Sequence, residues 1–116
     1  MSFPSRYALC LAVLLGAAAC ATPAAPQQAQ ADGSSIERAV LIHENDTRRG
    51  IAAENRWIQE NLPRCRKTGQ AFRQENGGIY DQIRLSCADG QTRHVYFDIR
   101  HFFGRIDGKL IGQPNP

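Results

Sequence analysis

The sequence predicts a small α+β domain in which two amino-terminal helices pack on a three-stranded antiparallel β-meander, held by one disulfide. Two observations predict these elements: apolar residues recur at helical spacing between residues 36 and 62, and they alternate with polar residues after Gly69. Cys65 and Cys87 lie on either side of that change and supply the disulfide. The chain has 116 residues, 42% of them hydrophobic, which fits one globular domain.

An export signal precedes this domain. Arg6 is followed by an uncharged, mostly apolar run from Tyr7 to Ala19, which is the order of a signal peptide. The run is shorter than the about 20 residues that a membrane-spanning helix needs, and Pro23 and Pro26 follow it. We therefore expect residues 1–19 to be a signal peptide and not a transmembrane anchor.

The end of this signal resembles the lipobox of bacterial lipoproteins. Leu15-Gly16-Ala17-Ala18-Ala19-Cys20 places small residues before a cysteine, although Ala17 stands where leucine is commonest. The resemblance implies that Cys20 is diacylated, palmitate being a typical chain, and becomes the new amino terminus. It also implies a periplasm-facing lipoprotein of the bacterial cell envelope that its lipid anchor holds to a membrane. We expect this to be the outer membrane.

The alternative is ordinary cleavage at an Ala-x-Ala site, which would release a soluble protein. Cys10 lies within the signal, so cleavage before Cys20 leaves three cysteines in the mature chain. One of the three would be an unpaired thiol in an oxidising compartment, and lipidation of Cys20 removes it. Cysteine number therefore favours the lipoprotein.

Residues 20–33 are predicted to be the lipidated cysteine and a flexible tether. The stretch is rich in proline, alanine and glutamine and has no large apolar side chain, so it cannot bury enough surface to offset the entropy of ordering. The folded domain is expected to occupy residues 34–112, followed by a tail at 113–116.

The two helices are predicted from capping residues and apolar spacing. Ser34-Ser35-Ile36-Glu37 has the form of a capping box and opens a helix whose apolar face includes Ala39, Val40 and His43. Gly50 is expected to break it, because glycine costs about 1 kcal/mol within a helix. A second helix is predicted from Ile51 to Asn61, ended by Pro63.

Three strands are predicted from alternation, with turns at Asn76-Gly77-Gly78 and Ala88-Asp89-Gly90-Gln91. They are expected near residues 70–75, 79–87 and 93–99. Asp81 is an exception because it falls among the inward positions. The inward residues are predicted to be Ile79, Ile83, Leu85, Cys87, Val95, Phe97 and Ile99.

Cys65 and Cys87 are predicted to form a disulfide that links the helical layer to the sheet. Their separation of 22 residues corresponds to roughly 3 kcal/mol of chain entropy, which matters in a domain of this size. A metal pair or a redox pair is the alternative, but the CxxC spacing typical of both is missing.

Charge and motifs exclude several classes of function. A net charge of +3 is too small to require nucleic acid, and we expect no such partner. No phosphate-binding loop, HExxH or GxSxG occurs, so we expect no enzyme, no cofactor and no metal site. His94, Asp98 and His101 come nearest to a site, but about 13 Å separates His94 from Asp98 along a strand.

A possible interaction surface lies on the outward sheet face. It is rich in aromatic and arginine side chains, which anchor many protein interfaces, although exposed sheet faces also carry them for cross-strand pairing. Its predicted members are Tyr80, Arg84, His94, Tyr96 and Asp98. A second candidate is the basic group Arg64, Arg66 and Lys67, which would face anionic headgroups or stabilise the carboxyl end of the second helix.

The predicted order of elements, two helices and a meander on a lipidated tether, resembles the small outer-membrane assembly lipoproteins of the SmpA/OmlA type. The likeness is of order alone, and no residue or partner is carried over. It favours an interaction or envelope-assembly module. A soluble periplasmic inhibitor or immunity-type binder is the alternative, and a small hydrolase is the third.

Overall fold

The computed structural model describes residues 30–112, and these form a four-stranded sheet with one α-helix on it. The signal peptide, Cys20 and the tail lie outside the described residues. The elements are a 3₁₀ turn (Ile36–Arg38), β1 (Val40–Leu41), α1 (Thr47–Asn61), β2 (Cys65–Glu75), β3 (Gly78–Cys87), β4 (Thr92–Asp98), β5 (Arg105–Ile106) and β6 (Lys109–Leu110).

The predicted fold, two helices on a three-stranded meander, is wrong. The main sheet has the order β1-β4-β3-β2, in which β1 runs parallel to β4 and the other neighbours are antiparallel. β5 and β6 form a separate two-stranded sheet. The element order on which the likeness to SmpA/OmlA-type lipoproteins depended is therefore not observed.

The predicted first helix is replaced by a short turn and a strand. The capping box does not form, because the side chain of Ser35 caps nothing and Ser34 Oγ donates to Asp32 Oδ1 at 2.7 Å. Val40 lies opposite Phe97 of β4, and the amide of Ile42 donates to the carbonyl of Asp98. Pairing with a buried strand satisfies this apolar, β-branched stretch better than a helix would.

The α-helix begins four residues before the predicted start, because Asp46 caps it. The carboxylate of Asp46 accepts from the amides of Arg48 and Arg49, which lack partners within the helix. Gly50 does not break the helix. It lies buried in the first turn, and a Cβ there would clash with the ring of Phe102.

β2, β3 and β4 pair as a meander within the larger sheet. The turn between β2 and β3 has two residues, Asn76 and Gly77, with φ of 51° and 79°, as a type I′ hairpin turn requires. β2 begins at Cys65, five residues before the predicted strand, because its basic first half also pairs with β3.

The core lies between α1 and one face of this sheet. Val95, Phe97 and Ile99 of the predicted inward set are fully enclosed, and the ring of Trp57 packs edge-on against Phe97 with 5.5 Å between centroids. Ile83, Leu85 and Cys87 are also buried, whereas Ile79 is half-buried. The alternation in β3 and β4 therefore identified the face that α1 covers.

The predicted disulfide between Cys65 and Cys87 is confirmed, but it does not link the helix to the sheet. The two residues are directly opposite each other in β2 and β3, with Cα atoms 3.9 Å apart. They close the open end of the hairpin whose other end is the Asn76-Gly77 turn.

The carboxyl-terminal part folds against the amino end of α1. Thr47 Oγ1 donates to the carbonyls of Phe102 and Arg105, and the amide of Asp107 donates to Asp46 Oδ1. Phe102 is buried in the core, whereas Phe103 is exposed. Within residues 30–112, no helix combines the length and the apolar character that a bilayer span requires.

Candidate functional site

The sheet face opposite α1 holds all five residues of the predicted interaction surface. Side chains that are directly opposite each other on neighbouring strands share a face, and here Arg84 lies opposite His94 and Tyr80 opposite Asp98. Tyr96 lies between these pairs on β4. We call this surface, defined by Tyr80, Arg84, His94, Tyr96 and Asp98, the open face.

Exposure differs among these five residues. Arg84 and His94 are exposed, and Tyr80 and Tyr96 are half-buried. Asp98 lies on the predicted face, but it is only 6% exposed and is therefore not a solvent-accessible member of it. Its carboxylate is enclosed because Arg100 turns back over it, with Nε 3.1 Å from both oxygens.

Asp98 remains ionised in this position. Burial by itself would raise the pKa of Asp98, but hydrogen bonds from the side chain and amide of Arg100 outweigh it, and the pKa lies below its ordinary value. Asp98 therefore contributes a neutralised ion pair to the edge of the open face and offers no free negative charge.

The unpaired charge on the open face is positive. Glu75, on β2 at the same end of the sheet as Asp98, is bound by Arg73, which also donates to Gln82 Oε1 at 2.8 Å. Arg84 forms no ion pair with any residue of the described chain. Its guanidinium lies across Gly69, where a Cβ would come within 3.2 Å of it.

The basic group Arg64, Arg66 and Lys67 lies at the disulfide end of the sheet. All three side chains are exposed, and none is in an ion pair with a described acidic residue. Arg64 and Cys65 also line a shallow groove with Leu62, Ala88 and others. α1 ends at Asn61 with no basic residue in its last turn, so this group follows the helix rather than belonging to it.

A pair of buried carboxyl groups lies on the covered face of the sheet, and sequence reasoning missed it. Glu54 of α1 is 1% exposed and Asp81 of β3 is fully enclosed. Gln70 Nε2 donates to Asp81 Oδ1 at 2.9 Å, whereas Glu54 Oε2 and Asp81 Oδ2 are buried with no hydrogen-bond partner from any other described group. A proton shared between the two carboxyls satisfies both of these oxygens.

Burial, and after it the hydrogen bond and the charge of Asp81, raises the pKa of Glu54 to about 9, while Lys67 opposes the rise. Glu54 is therefore protonated at neutral pH and donates to Asp81. Two signals pointed to the pair: Asp81 interrupts the apolar parity of β3, and Glu54 is four residues from both Gly50 and Ile58, the other buried residues of α1.

The histidines do not come together as a metal centre. His94 belongs to the open face, whereas His101 lies beside His43, with 6.3 Å between ring centroids. Among residues 30–112, no three histidine, cysteine, aspartate or glutamate side chains are grouped so that they could hold a metal ion.

Two exposed aromatic rings mark the margin between the sheet and the carboxyl-terminal part. Phe72 of β2 is 60% exposed and packs edge-on against Phe103, with 5.3 Å between centroids. Phe72 lies opposite Asp81 on β3, on the face that carries the helix. The aromatic pair therefore borders the free side of β2.

Comparison of this chain with protein-family models, with curated proteins and with solved structures finds no match.

Proposed function

We propose that this chain is a lipid-anchored envelope protein whose domain binds a partner protein through the open face and performs no catalysis. The amino-terminal signal and the lipobox-like segment ending at Cys20 support the anchor. The partner is an envelope protein, because a periplasm-facing domain joined to its anchor by a short proline- and alanine-rich stretch meets other components of that compartment.

The observation that carries the proposal is that a single helix covers one face of a four-stranded sheet and leaves the other open along its described length. Tyr80, Tyr96 and Arg84 are aligned there, and these residue types dominate the binding energy of protein interfaces. The register of β3 against β4 fixes their positions, so the surface is already organised before a partner binds.

The charges of the open face indicate an acidic contact on the partner. Both acidic residues of this face, Glu75 and Asp98, are already bound by arginines, and Arg84 and His94 remain available. Complementary charge steers association and penalises wrong partners.

Photocrosslinking in the envelope tests the interaction. A photoreactive amino acid at His94 should give a discrete crosslinked product, which Arg84→Glu should reduce about tenfold by reversing the neighbouring charge. Arg56→Glu is the matched control, because Arg56 is exposed on α1 and has no ion pair within the described part. Equal products in both variants, at unchanged melting temperature, would refute binding through the open face.

Membrane fractionation of a Cys20→Ser variant tests the anchor. We expect this variant to be released from the membrane or to remain unprocessed, because the diacyl chains supply the attachment. Unchanged fractionation would contradict lipidation. A native chain already found in the soluble periplasmic fraction would favour the soluble binder instead.

A further inference from the structure

β2 is an edge strand along its whole length. Its one neighbour in the described sheet is β3, so the other side of this 11-residue strand presents unpaired main-chain groups. Such edges bind further strands, and proteins that avoid this protect them with lysine, bulges or proline. The two halves of β2 differ in such protection.

The bulge and the unpaired charges of β2 are confined to its first half, because Arg73 and Glu75 in the second half bind each other. Arg66 and Lys67 are charged, and the register with β3 shifts between Lys67 and Gly69, which marks a bulge. From Gln70 to Glu75 the pairing is regular and contains no proline. The second half is thus a straight six-residue template with an unprotected side.

The type I′ turn indicates which amides lie on that side. A two-residue turn makes Glu75 and Gly78 a hydrogen-bonded pair, and such pairs alternate along an antiparallel ladder. The amides of Arg73 and Ala71 then bond to β3. Those of Gln70, Phe72 and Gln74 are directed to the free side.

An apolar anchor and a basic end adjoin this template. Phe72, exposed and packed on Phe103, offers a surface for one apolar side chain of an added strand. Arg64, Arg66 and Lys67 lie at the disulfide end and have no acidic partners among residues 30–112. A second copy of this chain would supply only Glu75 from its β2, and Arg73 already binds that carboxylate.

We propose that β2 accepts an added strand from the partner protein, an extended segment that is acidic beside the disulfide and apolar opposite Phe72. This inference rests on the proposed function and specifies the partner's chemistry. Main-chain hydrogen bonds to Gln70, Phe72 and Gln74 provide affinity, and the basic end fixes the direction and register of the segment.

The test uses the oxidised chain as purified from the envelope and a synthetic extended peptide. The peptide has acidic residues at one end followed by alternating threonine and valine. On binding, amide exchange should slow at Gln70, Phe72 and Gln74 and should change little at Ala71 and Arg73. A peptide of the same sequence with N-methyl groups on alternate amides should not bind, because it cannot complete the ladder.

Charge reversal provides the specificity test. Arg66→Glu with Lys67→Glu should weaken binding about tenfold and should favour a peptide whose acidic residues are replaced by lysine. Reversal of Arg48 and Arg56, exposed on α1, is the matched control and should leave binding unchanged. Gln74→Pro, which removes an edge-facing donor and no ladder bond, should abolish binding while the hairpin stays folded.

Several outcomes would overturn the inference. Equal binding of the N-methylated peptide, protection that does not alternate along β2, or self-association of the chain through β2 would each do so. If Arg84→Glu abolishes crosslinking in the envelope while the β2 variants do not, the strand addition is wrong and the proposed function stands. Loss in neither set of variants would refute both.

Discussion

The buried carboxyl pair makes the stability of the domain depend on pH. Glu54 is 1% exposed, and the pKa of Glu54 is raised to about 9 by burial, with Asp81 as the second cause. In the unfolded chain the same carboxyl titrates near its ordinary value of 4.5. Between these values the folded state keeps a proton that the unfolded state releases.

The direction in which the free energy of unfolding changes with pH follows from this difference in bound protons. Because the folded state binds the additional proton, the free energy of unfolding falls as pH rises from about 4.5 to about 9. The contribution of Glu54 is fully present below the lower value and is lost as pH approaches the higher one. The slope reaches about 1.4 kcal/mol per pH unit, so roughly 3 kcal/mol is lost between about pH 6 and pH 8.

Glu54→Gln should remove this dependence. The amide is neutral at every pH and can donate from Nε2 to Asp81, so it replaces the protonated carboxyl without a titrating group. We expect the variant to gain up to about 3 kcal/mol over the native chain on going from about pH 6 to pH 8. A domain of this size gains about 4–8 °C in melting temperature per kcal/mol.

Urea unfolding at the two pH values, with the disulfide intact, measures the effect. Comparison of the variant with the native chain cancels every contribution to the pH dependence that the two chains share. Glu60→Gln is the control, because Glu60 is exposed on the same helix and undergoes the same replacement of a carboxyl by an amide. Parallel pH profiles for the native chain and the Glu54→Gln variant would refute the shared proton.

Three further predictions concern packing and the disulfide. Phe97→Ala should lower the free energy of unfolding by about 3–5 kcal/mol and unfold the domain. Tyr96→Ala on the open face should keep the melting temperature within a few degrees. The opposite result would show that the two faces are assigned the wrong way round. Reduction of the disulfide should lower the melting temperature in calorimetry by well over ten degrees, from roughly 3 kcal/mol, and a smaller shift would contradict that contribution. Gly50→Ala should destabilise by about 1–3 kcal/mol in urea because its methyl group meets Phe102, although alanine favours helices; a stabilised variant would contradict this.

The strands could be predicted because their signal is local. Alternation in β3 and β4 depends on neighbouring residues and on one buried face, so Leu85, Val95 and Phe97 fall on the correct side whatever the rest of the chain does. The type I′ turn likewise depends on two adjacent residues, Asn76 and Gly77. These signals need no knowledge of which elements meet.

The second predicted helix is present and ends at Asn61 as expected. The first predicted helix and the start of the second were wrong, because contacts with distant residues decide them. Ala39, Val40 and His43 have the spacing of a helix face, but β4 offers Val40 a strand partner, Phe97, that is more than fifty residues away in sequence. The sequence alone indicates Gly50 as a helix breaker, because the ring of Phe102 that requires a glycine there is distant in sequence. A glutamate in a helix is usually exposed, and Glu54 is buried because Asp81, distant in sequence, lies beside it.

The pairing of β1 with β4 also decides which edge of the sheet is free. In the predicted three-stranded meander the first and third strands are both edges, so the sequence alone gives no preference between β2 and β4. The observed β1 pairs with β4 at Phe97 and Asp98, and the carbonyl of Gly33 accepts from the amide of Tyr96. Gly33, predicted to be the end of the flexible tether, and the segment predicted to be the first helix therefore cover part of β4. In the described sheet, β2 is the strand whose second side has no neighbour anywhere along its length. Strand order, which depends on this single long-range pairing, is what makes β2 available to a partner.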